Sequence, residues 1–402
     1  AALARTVAEA STAHALRRVD RGAPLPLSAA QRRMWFLYQH DRMSAEYYTG
    51  AAYRLDGPLS VEALGRALSA VQSRHEALRT CYANSDDGPV QIIAEPSAGA
   101  SLLRTVDLRT PSEAGRDEDL RLALTEEVER PFDLQHGSPF RALLVHLDED
   151  QHILVLSAHH IACDGWSLDI VIHDLGCAYA CGATAAVDAD RSAARIDYAD
   201  YAVWDGGRWT AEVLEKRRAF WRSELEDLPP LGIPTDRPRP AVRSHAGSVL
   251  RVDLGRETTD LLTIAARRHG MTLFTLLATA THLALAAASG SCDVAVGVAS
   301  AGRDHHDLDD VVGFFVNPVV VRSAIEYDDS LGKLLTKTDA RIRRALDNEL
   351  PFELVVEAVR PDRDPSRSPI VQALMVLQNA HTGKLKLPGL EVSSLPLPRT
   401  SA

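Results

Sequence analysis

The sequence predicts a mixed α/β (α+β) protein of two lobes. Helix-type and strand-type patterns are interleaved in both halves of the chain. Its 402 residues exceed what one small core fills. A small, polar stretch at 182–195 interrupts the pattern near the middle and reads as the interlobe linker. Residues 1–22 read as a linker or tail, 23–183 as the first lobe, and 184–402 as a second lobe that ends short of its full C-terminus.

The elements follow in order. Ser28-Ala29-Ala30-Gln31 has capping-box spacing and opens a helix through about Gln39. A strand covers Ala51–Leu55 and stops at Asp56-Gly57-Pro58. Ser60 caps a helix whose Val61, Leu64, Leu68 and Val71 share one face. Strands are expected at Leu78–Tyr82, Val90–Ala94 and Leu102–Val106, and a helix at Asp117–Val128. Phe140–Leu147 and His152–Ala158 flank the acidic turn Asp148-Glu149-Asp150 as a hairpin. Ile153-Leu154-Val155-Leu156 is apolar without alternation, so that strand is expected to be covered on both faces.

A helix is expected from Ser167, with Leu168, Val171, Ile172, Leu175 and Tyr179 on its buried face and Asp169 in its first turn. The second half predicts helices near 196–226, 256–288 and Ser330–Asn348. It predicts strands at Ser248–Leu254, Asp293–Ala299, Val316–Val321 and Val371–Gln378.

The formal charge of −11 argues against nucleic acid as a partner. No run of eighteen apolar residues predicts a membrane span. Five cysteines without a CxxC pair read as reduced cytosolic thiols, with Cys177 and Cys181, one helical turn apart, as small buried residues.

The most informative stretch is Ser157-Ala158-His159-His160-Ile161-Ala162-Cys163-Asp164-Gly165-Trp166-Ser167. It sits where an apolar strand ends and an amphipathic helix begins. Successive strand residues point to opposite faces, so one of His159 and His160 faces a cleft and the other the interior. The pattern leaves open which. Imidazole is the natural proton handler near neutral pH, and an activated acyl donor needs no enzyme nucleophile when an amine attacks directly. Asp164-Gly165 reads as a turn, whose carboxylate could pair with an arginine from elsewhere. Three other readings stand beside this one: a His-His-Asp metal site, Cys163 as nucleophile with His160, and a plain buried polar cluster. His305-His306, within Arg303-Asp304-His305-His306-Asp307, reads as a solvated loop despite its ligand-type residues.

His159-His160-x-x-x-Asp164-Gly165 resembles the HHxxxDG signature of condensation domains of nonribosomal peptide synthetases. Companion motifs occur in that family's order. Ser28-Ala29-Ala30-Gln31-Arg32-Arg33-Met34-Trp35 resembles the opening motif, and Arg74-His75-Glu76-Ala77-Leu78-Arg79-Thr80 the second. Tyr198-Ala199-Asp200-Tyr201-Ala202-Val203-Trp204 resembles YxDYxxW, and Gly313-Phe314-Phe315-Val316-Asn317 resembles GxFVN. Pro351-Phe352-Glu353 and Arg363-Asp364-Pro365-Ser366-Arg367-Ser368-Pro369 continue the series.

The resemblance implies two chloramphenicol-acetyltransferase-like lobes in a V around a central tunnel, and peptide-bond formation between donor and acceptor thioesters. The substrates would ride on 4'-phosphopantetheine arms of an upstream donor and a downstream acceptor peptidyl carrier domain, with no cofactor or metal held by the domain itself. His160 would be the active-site histidine. His159, Asp164, Gly165 and an interlobe Arg303 would support the motif, and Cys163, Trp166, Ser167 and Asn317 would line the substrate tunnel. The Gly165-Trp166-Ser167 continuation resembles the subtype joining L-configured residues. The implied setting is a monomeric domain of a bacterial, cytoplasmic multidomain synthetase for an antibiotic or siderophore. An epimerization domain of the same fold, or a non-catalytic recruitment platform, are the alternatives.

Overall fold

The computed structural model describes residues 16–96, 102–109, 113–182, 195–243, 247–362, 364–378 and 384–398. The first half opens with strand β1 (Leu25–Pro26), helix α1 (Ala29–His40), β2 (Tyr48–Asp56) and α2 (Val61–Arg74). Then come β3 (Thr80–Ser85), β4 (Gly88–Ile93), β5 (Leu103–Asp107), α3 (Glu113–Glu129), β6 (Phe140–Asp148), β7 (Gln151–His159) and α4 (Gly165–Ala180). The second half carries α5 (Tyr198–Gly207), α6 (Ala211–Glu224), α7 (Gly255–Arg268), α8 (Leu273–Ser289), β8 (Asp293–Ser300) and β9 (Asn317–Ala324). It ends with α9 (Leu331–Asp347), α10 (Phe352–Val359), β10 (Leu374–Met375) and β11 (Glu391–Leu395).

The predicted caps form. Ser28 accepts from the Gln31 amide, and the Gln31 side chain returns the bond to the Ser28 backbone, a complete capping box. Ser60 and Ser330 cap α2 and α9 by accepting from the Ala63 and Lys333 amides. β6 and β7 form the expected antiparallel hairpin in the middle of a five-stranded sheet of order β11-β2-β7-β6-β5. The apolar run of β7 is covered on both faces. Leu154 and Leu156 join Leu64, Leu68, Val71, Val171 and Leu175 in the main core, while Ile153 and Val155 pack with Leu143, Val145 and Leu124 on the other side. A fully buried leucine contributes about 1.5–3 kcal/mol, so this double layer is the principal anchor of β7 and of the motif at its end.

Several expectations are corrected. The segment expected as a strand at Ser248–Leu254 makes no ladder, and Leu250 is 88% exposed. Alternation alone does not make a strand without a neighbour to bond. Val371–Gln378 contributes only the two residues of β10, parallel to β8 in a sheet of order β10-β8-β9. Leu78 lies in a 3-10 turn over Glu76–Arg79, with the strand beginning at Thr80. The linker proposed at 182–195 falls almost wholly outside the described residues.

The sequence reading places everything from 184 to 402 in the second lobe, but two stretches of it build the first. β11 pairs antiparallel with β2, Val392 opposite Leu55, and Leu385 and Leu387 are buried in the main core. Leu308, Val311, Val312, Phe314 and Phe315 enter that same core. A separate cluster around Trp221, Val319, Val321, Ile342 and Val355 fills the space between α6, α9, α10 and the β8–β9 pair. The HHxxxDG motif therefore lies where chain from the two halves interlocks.

Candidate active site

β7 ends at His159, a short turn carries His160 to Cys163, and Asp164 caps α4. Strand alternation places the two imidazoles apart, and the structure settles which is which. His159 is buried, edge-on to Phe132 at 6.0 Å between ring centres, and its Nδ1 accepts from the Ile161 amide at 3.0 Å. Burial, with His160 beside it, pushes the pKa of His159 down to about 3. It stays neutral and serves the turn.

His160 is partly exposed. Its amide donates to the Tyr47 carbonyl at 2.8 Å, and its ring lies 5.6 Å from that of Phe314. Nδ1 is 3.0 Å from the Cys163 carbonyl, which can only accept. In the neutral ring the proton therefore sits on Nδ1, which leaves the lone pair on Nε2. The bond made by one ring nitrogen thus decides which nitrogen can take a proton.

The competing chemistries do not assemble. Cys163 is fully buried, and burial, with Asp164 nearby, pushes its thiol pKa well up, so no thiolate is present for nucleophilic attack. His159 and Asp164 are both buried and each committed to a backbone amide, with no room to turn toward an ion, so the His-His-Asp metal reading fails here.

Asp164 is the N-cap of a helix that begins at Gly165, two residues earlier than the sequence suggests, and α4 has no acidic residue in its first turn. Its Oδ1 accepts from the Ser167 amide at 2.8 Å and its Oδ2 from the Phe315 amide at 3.1 Å. Arg303 Nη2 lies 3.5 Å from Oδ1, so the expected arginine is found across 139 residues of chain. Arg303 also donates to Ser167 Oγ at 2.9 Å, to the Val311 carbonyl at 2.9 Å and to the Leu308 carbonyl. Its guanidinium stacks over Phe315 at 4.0 Å and near Trp166 at 5.5 Å. Burial pulls the Arg303 pKa below its ordinary value, with Asp164 opposing; the group remains a cation in any relevant pH range.

The remaining expected residues fall into different roles. Ser167 is buried; its hydroxyl donates to the Gly313 carbonyl at 2.8 Å and accepts from the Gly313 amide at 3.0 Å. Trp166 is half-exposed, its Nε1 donating to the Asp309 carbonyl at 2.9 Å. A methyl group on Gly165 would meet only Gln378 Nε2, at 3.7 Å, so the space before this residue is open. Asn317 is committed elsewhere: its amide donates to Glu349 at 2.9 Å and to the Leu350 carbonyl at 2.8 Å, and accepts from the Phe352 amide at 3.1 Å. It pins the loop before α10.

Sequence reasoning missed four contributors. Gly313 packs so closely on Tyr198 that a Cβ would lie 1.7 Å from its ring. Tyr198 donates to the Phe314 carbonyl and bonds Ser28 Oγ at 2.8 Å, joining α1, α5 and the 313–315 segment. Arg33, on α1, lies 4.0 Å from Glu353 on α10 and stacks 5.6 Å from the Phe314 ring. Both Glu353 oxygens lack a hydrogen-bond partner, and they face a cavity of about 30 Å³ also lined by Tyr201, Arg208 and Asn317. The signal was present in the motifs that contain these residues, but not their mutual distances.

The site thus consists of a buried support, a neutral structural histidine and a second, partly exposed histidine. Residues 23–397 match the family model of the condensation domain, and the chain belongs to that family. It is 36% identical over 371 residues to chondramide synthase cmdD of Chondromyces crocatus, covering 92% of this chain and 9% of that protein. It is 35% identical over 391 residues to malpinin synthetase of Mortierella alpina, covering 97% and 5%. The chain thus spans less than a tenth of these relatives.

Among solved structures, the X-domain from teicoplanin biosynthesis superposes with a TM-score of 0.79 at 31% identity, over 96% of this chain and 85% of that one. The four-domain nonribosomal peptide synthetase AB3403 superposes with a TM-score of 0.81 at 22% identity, over 93% and 29%. The fold is the chloramphenicol-acetyltransferase-like fold of condensation domains. Among the described residues, no single helix is long and apolar enough to cross a membrane.

Proposed function

We propose that the chain forms a peptide bond between a donor peptidyl or acyl thioester and an acceptor aminoacyl thioester. Both substrates are tethered to phosphopantetheine arms of carrier domains in a cytoplasmic synthetase, and both partners are L-configured. The observation that carries this reading is the His160 imidazole, partly exposed, whose Nδ1 is tied to the Cys163 carbonyl at 3.0 Å.

In the reaction, the acceptor nitrogen attacks the donor carbonyl carbon. The C–N bond forms, the C–S bond breaks, and one amine proton ends on the released thiolate. His160 Nε2 receives the hydrogen bond of the attacking amine and orients its lone pair. An amine with a pKa of about 8 is already partly neutral, so orientation contributes more than proton removal. His159, Asp164, Ser167 and Arg303 hold the turn that presents this ring.

The test loads donor and acceptor carriers and follows transfer by mass spectrometry. His160→Ala should lower turnover by about 100-fold or more with an unchanged melting temperature. Wild-type turnover in that variant would refute the assignment. A second reading, recruitment of another protein, is favoured by the likeness to the teicoplanin X-domain, a structure of which has been solved in complex with OxyB. No transfer with any loaded pair would favour that reading. Inversion at the alpha carbon without transfer would favour an epimerase.

A further inference from the structure

We infer that His305, His306 and Asp307 form a surface site for a zinc-like divalent transition-metal ion. Sequence reasoning sets these residues aside as a solvated loop. The structure places one ligand atom from each within 4.8 Å of the others. His306 Nε2 is 3.0 Å from Asp307 Oδ1, and His305 Nδ1 is 3.4 Å from Asp307 Oδ2; His305 Nδ1 also accepts from the Asp307 amide at 3.3 Å, a long surface bond that an ion would replace. Bonds of about 2.0–2.1 Å in a tetrahedral site put ligand atoms about 3.3 Å apart, so both imidazoles sit near that spacing from the carboxylate and must close on one of its oxygens. The two rings stack at 4.7 Å with 23° between planes, so a modest rotation of His306 closes the edge between the two imidazoles. That side chain is 84% exposed and free to make it.

The backbone beneath is held. Leu308 is fully buried, its amide bonds the His305 carbonyl at 2.9 Å, and its own carbonyl accepts from Arg303. The Trp166 bond to the Asp309 carbonyl fixes the far side of the turn. Ligands on a braced turn lose less freedom on binding than ligands on a loose one.

The donor set selects the ion. Two imidazoles and one carboxylate suit zinc, nickel or copper(II), whereas calcium and magnesium take oxygen. Asp309 and Asp310, both exposed, and the net charge of −11 add a favourable field. Water would complete the coordination. Because Arg303 holds both this turn and the Asp164–Ser167 support, a bound ion stiffens the loop that braces the motif, without touching His160. The site stands independently of the acyl-transfer reading.

The test titrates the tag-free chain with ZnCl2 by calorimetry and with CoCl2 by absorbance. One saturable site is expected, with cobalt d–d bands and no thiolate charge-transfer band. His306→Ala and Asp307→Asn should each weaken binding by about 10-fold or more. His173→Ala is the control, because His173 lies 3.6 Å from the exposed Cys177 and offers the rival soft-metal position. Binding that survives the His306→Ala/Asp307→Asn double variant, a thiolate band, or no saturable binding would overturn the proposal.

Discussion

Two of the charge pairs that bridge the halves of the chain are built in opposite ways. Asp164 and Arg303 are both buried, and nearly every polar atom around them is used: two backbone amides on the carboxylate, two carbonyls and a hydroxyl on the guanidinium. Arg33 and Glu353 are only partly buried, with 16% and 31% of their side chains exposed; they stand 4.0 Å apart and neither Glu353 oxygen has a hydrogen-bond partner. Burial raises the Glu353 pKa and lowers that of Arg33, the signature of charges whose desolvation outweighs their attraction. A buried ion pair stabilises when its hydrogen bonds are complete and costs when they are not. The first pair holds the HHxxxDG turn, whereas the second leaves its carboxylate without a hydrogen bond.

That contrast is sharpest in Asp164→Ala. It strands a buried cation, uncaps α4 and leaves the Phe315 amide without its acceptor, so about 3–5 kcal/mol should be lost in chemical denaturation. A loss below about 1 kcal/mol, the size of a surface pair, would break the comparison. Ser167→Ala removes three bonds at one hydroxyl and should cost about 1–3 kcal/mol by the same measurement.

At the other pair, Arg33→Met/Glu353→Leu should leave stability unchanged or raise it by about 1 kcal/mol, because two incompletely paired charges give way to apolar packing. A loss as large as that of Asp164→Ala would show both pairs to be structural. The smallest effect is a pH dependence. The folded chain takes up the Glu353 proton at higher pH than the unfolded chain does, so the cost of the ionised form is greatest above the raised pKa and fades as pH falls through it. Glu353→Gln should therefore raise Tm at neutral pH, with the gap to wild type closing toward the ordinary carboxylate range. A gap that stays constant with pH would assign the effect to packing.

The sequence was most legible where cause is local. Ser28, Ser60 and Ser330 cap their helices because a hydroxyl reaches amides three residues on. The run Ile153–Leu156 declares a doubly covered strand because each residue needs an apolar neighbour on its own face. Legibility failed where a distant segment decides. Asp164-Gly165 carries turn residues, and only the helix that follows makes Asp164 a cap. Ser248–Leu254 alternates like a strand but has no ladder partner. Cys177 and Cys181, read as buried, are exposed because α4 turns that face outward. β11 joins a sheet some 340 residues earlier in the chain, which no local pattern announces.

The sequence by itself determined the class, the motif order and the pair of histidines as the candidate centre. These depend on residue type and short spacing, which caps, alternation and motif carry. Tertiary structure alone decided that His159 is the silent partner and His160 the presented one. It also decided that Asn317 pins the loop before α10, and that of the two interlobe charge pairs compared one is complete and the other open. Each of those outcomes depends on burial and on hydrogen-bond partners from remote chain, and desolvation is a property of the folded surroundings, not of the residue.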